Sequence, residues 1–190
     1  MKGRARLSGV PALALAAALV LACSPVPSPS GAEPEGSVAP ADSGLRPVGA
    51  TETARVVRVV DGDTLIIDRG LGGERLRYIG IDAPESVKPN TPVEFMGREA
   101  SAANAALVEG ATIVLEADVS DTDRFGRLLR YAWLRDGGSW LFVNLELVRQ
   151  GYAQVVTFPP DVRWVDTLRE AQRAARDAGV GLWGSATPRP

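Results

Sequence analysis

Two short segments hold carboxylates and arginines at spacings suited to phosphate chemistry. In Val60-Asp61-Gly62-Asp63-Thr64 two carboxylates flank a glycine, and Arg77-Tyr78-Ile79-Gly80-Ile81-Asp82-Ala83-Pro84-Glu85 ends in two carboxylates around a proline. Asp82 and Glu85, facing Asp63, make an all-oxygen cluster, the donor set that favours a hard cation such as Ca²⁺ or Mg²⁺. The strand period of two places Arg77, Ile79 and Ile81 on one face, so Arg77 points inward among apolar neighbours and needs an anion there. A third segment, Asp121-Thr122-Asp123-Arg124-Phe125-Gly126-Arg127, adds another arginine at a turn. As a calcium loop of EF-hand type it fails, because Phe125 and Ala132 stand where oxygen ligands belong. Taken singly, the first segment is also a plain tight turn and residues 82–85 a solvated loop.

Composition narrows the chemistry. The 190 residues include no His, which removes His metal sites, His general bases and Ser-His-Asp triads, and a single Cys, which removes intramolecular disulfides and Cys-rich metal centres. A hydrophobic content of 45% and a charged content of 23% suffice for a buried core. The formal net charge is −2, so no overall basic field draws in nucleic acid or membrane. Of the 21 cationic residues 19 are Arg, the better bidentate phosphate ligand, although a genomic codon bias gives the same skew.

The elements that must position these groups lie between residues 53 and 183. Residues 53–60 and 64–68 are β-rich runs around Asp61-Gly62-Asp63, which is hairpin turn chemistry. Residues 74–81 alternate charged and apolar side chains and predict a third strand; residues 111–117 and 127–134 predict a fourth and a fifth. Helices are expected over 96–108, 141–150 and 161–178, the last with Asp161 as N-cap and Gly179 as stop. This order suits an α+β fold: a five-stranded Greek-key barrel of the OB type with about three helices.

These segments, with others in the same order (VVDGDT, RYIGIDAPE, KPNTPVEFMGREAS, TDRFGR, VNLELVRQGYA and a closing GLW), closely resemble the staphylococcal nuclease family over residues 54–183. The resemblance implies a Ca²⁺-dependent phosphodiesterase that cuts DNA and RNA to leave 3′-phosphates, acting as a monomer. Residue by residue, it implies that Asp63 and Asp82 bind the metal through their carboxylates and Ala83 through its carbonyl. It assigns Glu85 as the general base near the attacking water, and Arg77 and Arg127 as the guanidiniums that clamp the reacting phosphate. The chemistry agrees, since charge grows on the phosphoryl oxygens during in-line attack and a cation with two Arg forks stabilises it. A carboxylate base also needs no His.

The nucleotide pocket departs from that pattern. Phe125 stands where the family often has Tyr, which loses a phenol but keeps a stacking face. The family's paired tyrosines are replaced by Thr157 and Pro159, and an in-register alignment points Phe158 to the opposite side, predicting weak base stacking. Thr157 and Phe158 remain the candidate substrate contacts there. The family's Lys-rich loop shortens to Lys88-Pro89-Asn90, and residues 53–184 carry 16 Arg and Lys against 19 Asp and Glu.

The N-terminus reads as an export signal over residues 1–22, with Lys2, Arg4 and Arg6 before an apolar run too short to span a membrane. Val20-Leu21-Ala22-Cys23 resembles the bacterial lipobox, which implies a lipid on Cys23; an ordinary cleaved signal with an incidental Cys is the alternative. Residues 24–49 hold 6 Pro, 5 Ser and 4 Gly and no aromatic, so residues 23–52 are expected to form a flexible tether. The expected organisation is signal 1–22, anchored linker 23–52, nuclease-like domain 53–184 and tail 185–190, exported and lipid-anchored to an envelope membrane. A second functional reading is a nuclease-like module that binds nucleic acid or an envelope partner with little catalysis. The presence of Asp63, Arg77, Asp82, Glu85 and Arg127 together favours the enzyme, while the acidic balance and missing tyrosines favour the module.

Overall fold

The computed structural model describes residues 44–70, 72–86 and 92–184, all within one unit spanning residues 38–190. The signal 1–22, Cys23, the linker as far as residue 43, Lys88 and the tail 185–190 lie outside the described residues. In chain order the elements are β1 (Thr51–Val59), β2 (Thr64–Asp68), β3 (Gly73–Tyr78), β4 (Ile81–Asp82), α1 (Gly97–Val108), β5 (Thr112–Glu116), β6 (Leu128–Asp136), β7 (Ser139–Phe142), α2 (Val143–Arg149), β8 (Gln154–Val155), α3 (Val165–Ala178) and a 3₁₀ turn, Gly181–Trp183.

The expected hairpin forms, with β1 and β2 antiparallel about Asp61-Gly62-Asp63. The sheet runs β3-β2-β1-β5-β6-β7, and a parallel pairing of β3 with β6, Leu76 opposite Leu128, closes the five strands β1, β2, β3, β6 and β5 into a barrel. This is the α+β, OB-type architecture expected of the sequence. Period-two alternation sends Leu65, Ile67, Leu76, Tyr78, Ile113 and Leu115 inside, each with 0–1% exposure. Burying such a side chain stabilises the fold by about 1.5–3 kcal/mol.

Four boundaries differ from expectation, each for a tertiary reason. The strand predicted over 74–81 breaks into β3 and β4, because Gly80 takes φ +81° and a Cβ there would sit 2.8 Å from Leu168. The turn is pinned by the buried Asn144, whose amide donates to the Ile79 carbonyl at 2.9 Å while its oxygen accepts the Ala132 N–H. The helix predicted over 141–150 is instead a strand followed by a shorter helix, since β7 pairs with β6 and stacks Phe142 on Trp133 at 4.2 Å.

Asp161 does not cap α3, which starts at Val165 without a side-chain cap. Its carboxylate accepts the N–H groups of Val119 and Ser120 instead, tying the loop before β6. Finally, the folded part begins before the expected linker end at residue 52. Glu116, fully buried, accepts the backbone N–H groups of Val48 and Gly49 and the indole N–H groups of Trp133 and Trp164, holding this segment to the barrel. Among the described residues no helix is long and apolar enough to cross a membrane.

Candidate active site

Asp63 sits at the end of the β1–β2 turn with 1% exposure. The turn can press against the body of the fold because residue 62 is glycine: a Cβ there would lie 2.4 Å from the Ala83 Cβ and 3.0 Å from that of Ala100 on α1. Asp61 braces it by accepting the Asp63 N–H at 3.1 Å. From the helix side, buried Asn104 donates to the Asp61 carbonyl and accepts the Tyr78 hydroxyl at 2.9 Å.

Arg77 joins the two acidic segments. Its Nη1 donates to Asp63 Oδ1 at 2.5 Å, and its Nη2 to Asp82 Oδ1 at 2.6 Å and to the Ile81 carbonyl at 3.2 Å. The Ala83 N–H donates to Asp63 Oδ2 at 2.8 Å, and the Thr64 hydroxyl to Oδ1. The anion that Arg77 requires is therefore supplied from within the chain. Its neighbours differ from the expected Ile79 and Ile81 face: Leu76 and Tyr78 turn into the core, and Arg77, on the opposite face of β3, opens onto a cleft.

Burial dominates the electrostatics of Asp63. Desolvation raises its pKa to about 7, the Arg77 charge opposing the rise and the Asp61 charge adding to it. Burial also works against the Arg77 charge, but Asp63 and Asp82 outweigh it, so the guanidinium pKa rises above its ordinary value.

The opposite wall of the cleft comes from the loop entering β6. Asp123 takes the Arg127 Nε at 2.7 Å and the backbone N–H groups of Phe125 and Arg127. Burial alone would raise the Asp123 pKa, yet these donors hold it below the usual carboxylate range. Phe125 projects from this loop, with Arg127 5.5 Å and Arg124 4.7 Å from its ring centroid. The cleft measures roughly 620 Å³ and is lined by Arg77, Asp82, Arg124, Phe125, Arg127 and Phe158, among others.

The structure thus gathers Arg77, Asp82, Arg127, Phe125 and Phe158 in one cleft, with Asp63 behind Arg77. Phe158 corrects the in-register expectation: it lines the cleft and, like Phe125, is 69% exposed, free to offer a ring face. Thr157 is not part of the lining and accepts a hydrogen bond from Arg169 at 3.3 Å. Glu85 also lies outside the lining. Its main chain pairs with Glu94 under the start of α1, its carbonyl accepting the Glu94 N–H at 3.0 Å and its N–H donating to the Glu94 carboxylate. Among the described residues no three acidic side chains gather as a metal cluster, so the expected Asp63–Asp82–Glu85 trio is present as two carboxylates bridged by Arg77.

Arg124 is a cleft residue to which the sequence alone assigns no role; its place beside Phe125 in a tight polar turn is the available signal. The donor set still fits a hard cation. Asp63 and Asp82 offer only oxygen donors and meet on Arg77, which supplies the positive charge between them here.

Comparison with known proteins gives the chain a family. The family model described as "Staphylococcal nuclease homologue" matches residues 75–185. The chain is 37% identical to a thermonuclease of Staphylococcus hyicus over 70% of this chain and 77% of that one. It is 38% identical to a thermonuclease of Staphylococcus intermedius over 70% and 76%. It is also 34% identical to the endonuclease YncB of Bacillus subtilis, over 66% of this chain and 59% of the relative. A family model that covers residues 75–185 and two thermonucleases at 37% and 38% identity place the chain in a family: it belongs to the staphylococcal nuclease homologues.

Proposed function

We propose that the protein is a calcium-dependent nuclease, exported and held at an envelope membrane by a lipid on Cys23. The observation that carries the catalytic reading is Arg77 and Arg127 facing one cleft beside two carboxylates and two exposed rings. Phe125 and Phe158 stack bases, which orients the strand. The arginines meet the scissile phosphate, Arg77 in exchange for its carboxylate partners, and stabilise the phosphoryl charge that grows as water attacks in line. Glu85, three residues beyond Asp82 and outside the cleft lining, is the carboxylate we assign to take the proton of that water, a role that needs no histidine. Asp63, Asp82 and the Ala83 carbonyl would hold Ca²⁺, which when bound supplies Lewis-acid stabilisation of phosphoryl charge.

Incubating the purified chain with plasmid and with single-stranded DNA and RNA, in Ca²⁺ and then in chelator, tests this reading. Cleavage that stops on chelation supports it. Binding without cleavage in saturating Ca²⁺ would favour the non-catalytic module, which the engagement of Arg77 by both carboxylates also suits. For the anchor, Cys23→Ser should move the protein from the membrane fraction to the soluble fraction at unchanged specific activity. Soluble native protein bearing a free Cys23 thiol would refute the lipid assignment.

A further inference from the structure

The outer face of β1 to β3 carries arginines that the cleft does not use. Arg58 on β1 and Arg75 on β3 are exposed and make no ion pair among the described residues. Elsewhere Arg69, Arg127, Arg130, Arg149 and Arg163 are each held by a carboxylate. In register, Arg58 stands opposite Ile66 and Ile66 opposite Arg75, so two guanidiniums flank one half-buried isoleucine. They share the outer face because the alternate positions Leu65, Ile67 and Leu76 fill the core. Arg58 and Arg75 are two strands apart, about 9.6 Å, and Arg75 is two residues from Arg77, about 6.6 Å along the strand. The row ends at the cleft. Arg55 continues the same face outward, away from the cleft, opposite Asp68, whose carboxylate accepts the Gly70 and Gly72 N–H groups.

We propose that Arg58 and Arg75 form a docking row for the phosphate backbone of single-stranded nucleic acid, leading the strand across β1–β3 to Arg77. The proposal rests on the nuclease reading of the cleft and names where the strand outside the reacting nucleotide lies. Uncommitted guanidiniums on a flat strand face can each take a phosphate bidentately. Ile66 between them offers an apolar seat to a sugar or base. The face formed by strands 2 and 3 is also where OB barrels hold oligonucleotides. In an acidic domain this row is a local positive route for a polyanion. An anionic membrane calls for a cluster of about 4–8 cationic residues, which two arginines do not make.

The test uses the full chain with R58Q, R75Q and the double variant. Readouts are steady-state cleavage of a long single-stranded oligonucleotide and of a dinucleotide too short to reach the row, oligonucleotide binding in chelator, and flotation with phosphatidylserine vesicles. The double variant should raise KM for the long substrate several-fold at unchanged kcat, leave the dinucleotide unaffected, and melt at the parent temperature. The log–log salt slope of oligonucleotide binding should shrink by about 0.7 for each phosphate that no longer meets an arginine. Unchanged KM and salt slope would overturn the proposal, as would loss of vesicle binding with oligonucleotide affinity intact. Should the parent cleave neither substrate, the nuclease reading fails, and the salt slope still decides whether the row binds nucleic acid.

Discussion

The Asp63 carboxylate accepts the Ala83 backbone N–H at 2.8 Å, joining the β1–β2 turn to the end of β4. Asp63 is thereby aimed at the strand end that carries Asp82, and Arg77 closes the triangle from β3. The close approach depends on the glycine at 62, since any Cβ there would overlap Ala83.

Arg77→Lys should lose turnover by on the order of 10²–10³. Lysine keeps the charge but cannot span Asp63 and Asp82, nor present a planar fork to phosphate. Plasmid cleavage rates together with the circular dichroism of the variant check this; activity within a few-fold of the parent would remove Arg77 from the chemistry.

The raised Asp63 pKa sets a pH dependence. Its native pKa of about 7 lies above the ordinary carboxylate value of 3.8, so between roughly pH 4 and 7 the native state binds more protons than the unfolded one. Asp63 therefore makes the metal-free protein less stable as pH rises through that window. Thermal unfolding in chelator should show this slope in the parent and a flatter curve in Asp63→Asn. Calcium, which needs the ionised carboxylate, should bind more weakly as pH falls below about 7, as calorimetry can measure.

Phe125→Ala and Phe158→Ala should each weaken single-strand binding by about 1–3 kcal/mol, and Thr157→Ala should do little. Inhibition by a nucleotide 3′,5′-bisphosphate measures all three. Equal losses at Thr157 and Phe158 would contradict the placement of Phe158 on the cleft wall.

Glu85→Gln should depress kcat while sparing calcium affinity, because its side chain is outside the Asp63–Asp82 pair. Asp63→Asn should reduce both. Parallel calorimetric titrations and initial rates separate the two roles, and equal loss of calcium affinity would make Glu85 a ligand.

Glu116→Gln should destabilise the fold without touching the cleft. Whichever way the amide turns, its NH₂ faces two donors, either the indole N–H groups now on Oε2 or the Val48 and Gly49 N–H groups now on Oε1, and can accept from neither pair. Each buried donor left unpaired costs about 1–3 kcal/mol. A melting temperature within a degree of the parent would show that the buried carboxylate is dispensable.

Local chemistry makes much of this protein legible in its sequence. The hairpin at Asp61-Gly62-Asp63, the barrel strands and the acidic and basic motifs follow from propensities and turns set by neighbouring residues, and the ordered motifs carry the family. The direction of individual side chains is decided elsewhere. A single residue of register reverses a side chain, and it is set by partners far along the chain. Asn144 and Leu168 force the turn at Gly80 that takes Arg77 off the Ile79–Ile81 face. β7 is a strand because β6 offers it a pairing edge, and Asp161 leaves its helix because the backbone at 119–120 needs an acceptor. Phe158, not Thr157, reaches the cleft for the same reason: which of two adjacent side chains faces a site is decided by the path of the folded backbone, and no local preference of either residue encodes it.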